Sequence, residues 1–335
     1  MKRVFITGGT GFIGSHLVRR NIKEGNRITV LALPGDPGIA EIKALDCEVV
    51  TGDICDLPLL EGLCRRHDIV FHCAAVVSDW APKRLFREVN IEGMEKICRA
   101  ALGAQVERFV EISTNDVFGL IEGVVIDEDF PYKTWGEPYP DTKIEATEIV
   151  WRYYRDHGLP ATMVYPCWVY GPGDKTFVPL TADAIVKGEM IFWRKDVLVW
   201  PTYIDNLVDL LMVISQNDSA VGEGYLVHDG EFTTFQNFCA MIARSLDVQE
   251  PTRHIPYGAA YAAALIMEGV WSLMRMKTRP LLTTYAVKNL GSRLCFSIEK
   301  ARRELKWEPT VSFTDGLEET MRWLKTVDHG TFKVK

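Results

Sequence analysis

Short apolar runs recur at regular intervals through the first third of the chain, at 3–7, 28–33, 47–51, 69–73 and 108–114. Between them lie stretches with helical spacing, at 12–24, 39–45, 57–66 and 82–103. Alternation of strand and helix predicts parallel strands joined by right-handed crossovers, so the expected fold class is α/β with a doubly wound parallel sheet. A polar loop over 122–138 interrupts the rhythm, and helix 139–157 and strand 161–165 follow. Beyond Tyr170-Gly171-Pro172-Gly173-Asp174 the pattern turns mainly helical, with helices expected at 178–187, 204–215, 234–245, 258–275 and 313–326. This describes a dinucleotide-binding domain over 1–175, to which 203–228 returns, and a smaller helical substrate lobe over 176–202 and 229–330. Such a lobe covers the ends of the sheet strands, where ligands of open α/β sheets sit.

The first strand runs into Thr7-Gly8-Gly9-Thr10-Gly11-Phe12-Ile13-Gly14 and then into a helix. Gly8 permits a tight turn, Gly11 lets the backbone approach phosphates, and Gly14 lets the helix pack on the strand. Glycine patterns alone also describe a plain turn. The position in the first strand–helix unit, with apolar strands following at regular intervals, favours a dinucleotide pyrophosphate.

Tyr139-Pro140-Asp141-Thr142-Lys143 is the second anchor. Four residues apart on a helix, Tyr139 and Lys143 share a face, and a nearby ammonium favours the phenolate and lowers the tyrosine pKa. That would make Tyr139 usable for proton transfer, although an isolated pair of this spacing is also common on exposed helices. Ser113 and Thr114 end the strand 108–114 where the sheet edge opens. Their hydroxyls can hydrogen-bond a substrate oxygen or simply close a turn.

Bulk properties narrow the partners. The 335 residues carry a net charge of −7 and are 47% hydrophobic, which gives no footprint for nucleic acid. The only basic cluster is a short tail, Phe332-Lys333-Val334-Lys335. Eight cysteines are scattered without CxxC or metal-ligand spacing, so a reducing cytoplasmic setting is expected and no metal. The first strand begins almost at Met1, leaving no room for a signal peptide, and no apolar run is long enough to span a membrane.

Taken in order, TGGTGFIG, Gly52-Asp53-Ile54, His72-Cys73-Ala74-Ala75, Asn90, Ser113-Thr114-Asn115-Asp116-Val117-Phe118-Gly119, YPDTK and Val169-Tyr170-Gly171-Pro172-Gly173-Asp174 resemble the extended short-chain dehydrogenase/reductases. Thr202-Tyr203-Ile204-Asp205-Asn206 and the closing run from Ser297 to Pro309 extend the resemblance over nearly the whole chain. The resemblance implies a Rossmann fold and an NAD(P)-dependent enzyme acting on a small molecule. It implies Tyr139 as general acid/base, Lys143 as holder of the nicotinamide ribose, and Thr114 rather than Ser113 as the hydroxyl that orients the substrate oxygen. For the cofactor it implies Gly8, Gly11, Phe12, Ile13, Gly14, Asp53, Ile54, Ala74, Ala75, Asn90, Lys143 and Pro166. Tyr165 departs from the family, many of whose members carry Arg before this proline. The second strand ends Leu31-Ala32-Leu33-Pro34-Gly35-Asp36, where Asp36 either reaches the ribose 2′-hydroxyl or caps the turn. No Arg or Lys lies between Arg27 and Lys43 to hold a 2′-phosphate, which favours NAD and leaves NADP as the other choice.

The branch within the family rests on the substrate end. Lys195-Asp196-Val197 and Arg279-Pro280 stand where nucleotide-sugar members carry diphosphate signatures, and neither signature is intact. The run from Pro256 to Val287 is rich in Ala, Leu, Met, Tyr and Trp and resembles the 3β-hydroxysteroid dehydrogenase-like branch. The expected reaction interconverts a secondary alcohol and a ketone on a fairly apolar skeleton. Asp116 argues for the alternative, a nucleotide-sugar epimerase or dehydratase, because dehydratases of this family often carry a carboxylate there. A catalytically silent cofactor-binding scaffold is the third reading. Within 258–275, Ala259, Ala263, Met267, Val270 and Met274 share one helical face. That face is read as roofing the substrate pocket, with a core helix or peripheral membrane contact as rivals, and a homodimer is allowed for.

Overall fold

The computed structural model describes residues 1–276 and 278–327, so the basic tail and the last residues assigned to the substrate lobe lie outside it. Among the described residues seven parallel strands form one sheet: β1 Arg3–Thr7, β2 Arg27–Ala32, β3 Glu48–Thr51, β4 Ile69–His72, β5 Arg108–Ile112, β6 Ala161–Pro166 and β7 Gly224–Val227. Their spatial order is β7-β6-β5-β4-β1-β2-β3. The chain winds outward from β1 in one direction to β3, then crosses back to β4 and winds the other way. β1 and β4 are therefore neighbours at the point where winding reverses, with Thr7 opposite His72. Ligands of doubly wound sheets bind at this place, beyond the carboxyl ends of the strands.

Local sequence explains the elements. The central strands carry Val4, Phe5, Ile6, Val70, Phe71, Phe109 and Val110, all fully buried because helices cover both faces. The helix Leu57–Cys64 starts where the Asp56 side chain accepts from the Leu59 N–H, with a proline in its first turn. The stretch expected as one helix over 82–103 runs from Lys83 to Ala104, with wider turns over Arg87–Gly93. The helix Pro138–His157 ends at Gly158 in the left-handed conformation that glycine adopts without strain. β5 stops at Ile112, so Ser113 and Thr114 stand just beyond the sheet edge.

Beyond β6 the described chain forms helices Phe177–Val186, Ile204–Gln216, Phe235–Ser245, Tyr257–Leu273, Thr284–Asn289 and Phe313–Leu324. The buried Asp174 carboxylate accepts from the N–H groups of Thr176, Phe177 and Val178 and starts the first of these. His16 Nε2 meets the Pro172 carbonyl at 2.8 Å, which joins the first helix to the turn after β6.

The apolar face read from 258–275 is turned differently from the expectation. Ala260 and Ala264 are the fully buried positions of Tyr257–Leu273, packed with Val287. Val270 is 41% exposed and Met274 65%. The reason lies in size: two alanines allow close approach of the short helix Thr284–Asn289, and the longer side chains are left outside that narrow seam. No helix among the described residues is long and apolar enough to cross a membrane.

Candidate active site

The glycine turn after β1 packs its backbone tightly against the loop after β4. Gly8 has a φ of +66°, and a Cβ there would lie 2.9 Å from the Ala74 nitrogen on the loop after β4. Both the backbone conformation and the close approach demand glycine. A Cβ on Gly14 would meet the Gly8 carbonyl oxygen at 2.2 Å, so this glycine sets how closely helix and strand approach. A Cβ on Gly11 would meet only that oxygen, at 3.2 Å, and the other side is open. The helix Phe12–Lys23 has no side-chain cap and no acid in its first turn, so its amino-terminal N–H groups remain free for an anion. Phe12 and Ile13, the first residues of that helix, are half-buried beside the turn.

Next to the turn lies a cleft of about 390 Å³ lined by Thr10, Gly11, Leu33, Pro34, Gly35, Asp36, Pro37 and Lys175. The Asp36 carboxylate accepts from the Thr10 hydroxyl at 2.8 Å and from the Gly38 N–H at 2.8 Å. Asp36 thus caps its turn and also lines the cleft. Lys175 was missed, because it reaches the cleft from a loop far along the chain. Asp53 is exposed and accepts from the Cys55 N–H, while Ile54 beside it is buried.

Ala74 and Ala75 form the loop after β4, half-buried against the glycine turn, and the Thr7 hydroxyl accepts from the Ala74 N–H at 3.2 Å. That hydroxyl also meets His72 Nδ1 at 2.7 Å. Burial, helped by the Lys143 charge, pushes the His72 pKa down to about 3, so the ring stays neutral. Asn90 does not face the cleft. Its amide bonds both the N–H and the carbonyl of Val76 and also the Thr142 hydroxyl, so it pins the loop after β4 to the helix Pro138–His157. Pro166 ends β6, fully paired in the sheet beside Val227.

Tyr139 stands in the first turn of the helix Pro138–His157, and the Thr114 hydroxyl lies close enough to its phenol to oppose the rise of its pKa. Ser113 turns the other way, with its hydroxyl 2.8 Å from that of Thr147 inside the protein. Of the two candidate hydroxyls, Thr114 is the one that meets the tyrosine.

Lys143 behaves differently from the expectation. Its Nζ donates to Glu111 Oε1 at 2.7 Å and to the Ile112 carbonyl at 3.0 Å, and both side chains are buried. The Tyr139 pKa is pushed up rather than down, first by burial, then by the nearby Asp116 charge, with the Thr114 hydrogen bond opposing and Glu111 adding to the rise. Helical spacing does bring Tyr139 and Lys143 to one side, but an acid on β5 takes the ammonium.

A second wall of the site was invisible in the sequence. On the helix Thr284–Asn289, Tyr285 donates to Asp116 Oδ2 at 2.7 Å, and Lys288 Nζ donates to Glu137 at 2.6 Å. The Tyr285 ring stacks on Trp135 at 5.3 Å and meets Tyr139 edge-on at 6.2 Å. The Trp135 indole N–H donates to the Asp116 carbonyl at 2.9 Å. Burial pushes the Asp116 carboxyl up to about 6, with the Tyr285 hydrogen bond opposing. The arrangement sets the Tyr139 phenol edge-on to Tyr285, which stacks on Trp135, and near the Asp116 carboxyl that burial pushes up to about 6.

Comparison with known proteins agrees with this geometry. The sequence profile of the NAD dependent epimerase/dehydratase family matches residues 4–227. The chain is 27% identical to the 4-hydroxy-2-methyl-3-oxo-4-farnesyl-3,4-dihydroquinoline-1-oxide ketoreductase of Stigmatella aurantiaca, over 94% of this chain and 95% of that one. It is 28% identical to a 3 beta-hydroxysteroid dehydrogenase/Delta 5-->4-isomerase of Mycobacterium tuberculosis, over 95% of this chain and 89% of that one. Among solved structures, DesIV of Streptomyces venezuelae, a dTDP-glucose 4,6-dehydratase with NAD and TYD bound, superposes with a TM-score of 0.80. Its 24% identity, over 96% of this chain and 97% of that one, speaks for the shared fold. The chain belongs to the NAD dependent epimerase/dehydratase family and is an NAD-dependent enzyme of the Rossmann fold.

Proposed function

We propose that this enzyme interconverts a secondary alcohol and a ketone on a fairly apolar substrate, with Tyr139 moving the proton and Thr114 orienting the reacting oxygen. The observation that carries the reading is the Tyr139 phenol beside the Thr114 hydroxyl at the sheet edge, walled by Trp135 and Tyr285. A wall of rings accepts an apolar skeleton, and a hydroxyl pair fixes one oxygen within it. Relatives named as a ketoreductase and as a hydroxysteroid dehydrogenase support the same class.

For the cofactor, Gly8, Gly11 and the uncapped helix start would hold a pyrophosphate, and Asp36 with Asp53 would face the adenosine half. Lys143 would reach the nicotinamide ribose. When bound, NAD supplies the hydride acceptor or donor. Tyr139, whose pKa is pushed up, keeps its proton at neutral pH and is suited to donate it to a ketone oxygen. Thr114 lies beside that tyrosine, so both hydroxyls would face one substrate oxygen.

The test is absorbance of reduced nicotinamide during steady turnover on a panel of hydrophobic ketones, with a nucleotide-diphosphate sugar as comparison. Net oxidation on ketones and none on the sugar supports the reading. Turnover of the sugar with no net absorbance change and cofactor retained through purification points to the second reading, an epimerase or dehydratase. One observation favours that second reading: the Asp116 carboxyl, pushed up to about 6, lies beside Tyr139 and could remove a proton next to a ketone.

The exposed Leu265, Ile266, Leu273, Met274 and Leu281 form an apolar surface on the substrate lobe, with Arg275 exposed beside it. Such a face suits shallow contact with a membrane surface, where an apolar substrate partitions, with Arg275 as the local cation for anionic headgroups against the opposing net charge of −7.

A further inference from the structure

Glu111 is an anomaly in its strand. It sits in β5 between Val110 and Ile112, level with His72 on β4 and Met163 on β6, and is fully buried. An acid in the centre of a parallel sheet costs several kcal/mol of desolvation unless it is paired. Its partner is the lysine of the candidate catalytic pair: Oε1 accepts from Lys143 Nζ at 2.7 Å. The pair is only half satisfied. Lys143 uses two of its three N–H groups, on Glu111 and on the Ile112 carbonyl, and Glu111 Oε2 has no partner although it is buried. A purely structural pair of this kind gains nothing over apolar side chains of the same volume. Its retention needs another reason.

We infer that Glu111 is a positioning residue that fixes the Lys143 ammonium against the end of β5 and balances its charge, leaving one N–H free for the cofactor ribose. The inference deepens the reading of Tyr139 and Lys143 given above and rests on it. The groups facing Glu111 from the surrounding elements are few. Lys143 and Tyr139 come from the helix Pro138–His157, Cys73 follows β4, and Cys98 lies on the helix Met94–Ala104. Burial pushes both thiols up, so neither carries charge at neutral pH. His72, level with Glu111, is neutral for the same reason. Lys143 and Glu111 therefore form a buried pair, with the Glu111 carboxyl pushed up to about 7 by burial and held down by the Lys143 charge, and Glu111 adds to the burial and the Asp116 charge that keep the Tyr139 proton in place.

The consequence is a sign pattern in how Tyr139 ionises, followed as the tyrosinate absorbance of each variant minus that of its Tyr139→Phe counterpart. Glu111→Gln strips the counter-ion, and the unmatched ammonium should lower the Tyr139 midpoint by about one pH unit or more, an opposite charge nearby being worth that much. Replacing both residues, Glu111→Leu with Lys143→Leu, removes both charges and should leave the midpoint near wild type. NAD affinity by calorimetry should fall roughly tenfold in Glu111→Gln, equivalent to about 1.4 kcal/mol. A Glu111→Gln titration that superimposes on wild type, with only the melting temperature lowered, overturns the inference. Should Glu111→Gln not fold, Lys143→Met gives the opposite arm. The unmatched Glu111 then raises the Tyr139 midpoint, and an unmoved midpoint overturns the inference equally. None of these readouts needs turnover, so failure to find a ketone substrate and failure of this inference remain separate results.

Discussion

The Tyr285 hydroxyl donates to Asp116 Oδ2 at 2.7 Å, joining the short helix Thr284–Asn289 to the edge of the sheet across 169 residues of chain. The carboxyl is buried and its pKa is pushed up to about 6, so folding favours its protonated form. A group raised in the fold contributes stability below its unfolded pKa and loses it as pH rises through the folded value. Asp116→Asn removes that loss. Its stability relative to wild type should therefore climb between about pH 4 and pH 6 and level off above. The ceiling is about 3 kcal/mol, from a shift of roughly two pKa units. Denaturant melts of both proteins across this range check it, and a difference independent of pH would refute it.

Tyr139→Phe removes the hydroxyl that meets Thr114 and leaves the glycine turn untouched. Turnover on a verified substrate should fall by about 10²–10⁴-fold, the usual contribution of a proton-transfer group, with NAD affinity close to wild type. Single-turnover kinetics and calorimetry separate the two quantities. A Phe variant with unchanged turnover would remove Tyr139 from the mechanism.

Gly14 and Gly11 should fail in different ways. A methyl on Gly14 would sit 2.2 Å from the Gly8 carbonyl oxygen, which only a backbone shift relieves. Gly14→Ala should cost about 1–3 kcal/mol of stability or more, as overpacking does. A methyl on Gly11 meets one atom at 3.2 Å and otherwise points into the space proposed for the pyrophosphate. Gly11→Ala should therefore melt near wild type and bind NAD at least about tenfold more weakly. Equal NAD affinity in Gly11→Ala would remove that role.

Much of this was legible in the sequence, and the limits have physical causes. The apolar runs gave the strands because a sheet covered on both faces needs them, and the glycine spacing located the turn because its geometry admits little else. Thr114 and Tyr139, from two motifs 25 residues apart, stand beside each other at the sheet edge. Spacing along one helix put Lys143 on the side of Tyr139 but said nothing about Glu111, an acid 32 residues away in sequence that takes its charge. The one signal was an acid amid apolar neighbours in a central strand, which demands a buried partner. Tyr285 and Lys288 left no signal, since a helix of six residues has too few turns to show a period. The face of Tyr257–Leu273 was misjudged because periodicity marks the large apolar residues, while the close contact is made by two alanines.

That helix supplies the last prediction. Its packing on the body of the protein runs through Ala260 and Ala264 against Val287, two residues past Tyr285. Ala264→Leu should push the short helix aside and with it the Tyr285 ring, so an apolar substrate's KM should rise together with loss of stability. The outward side chains have no such partner. Ile266 is 67% exposed and Leu273 85%, so Ile266→Ser with Leu273→Ser should change the melting temperature and NAD affinity little, within about 0.5 kcal/mol for each site. What these residues do contribute is a water-facing apolar area beside Arg275. If that area touches a membrane surface, the wild-type protein should co-sediment with vesicles rich in anionic phospholipid and release at high salt, because the electrostatic part is screened. The double serine variant should stay in the supernatant under the same conditions. Wild type that remains in the supernatant with anionic vesicles rules out the membrane contact, and the KM of Ala264→Leu then decides whether the helix serves the pocket alone.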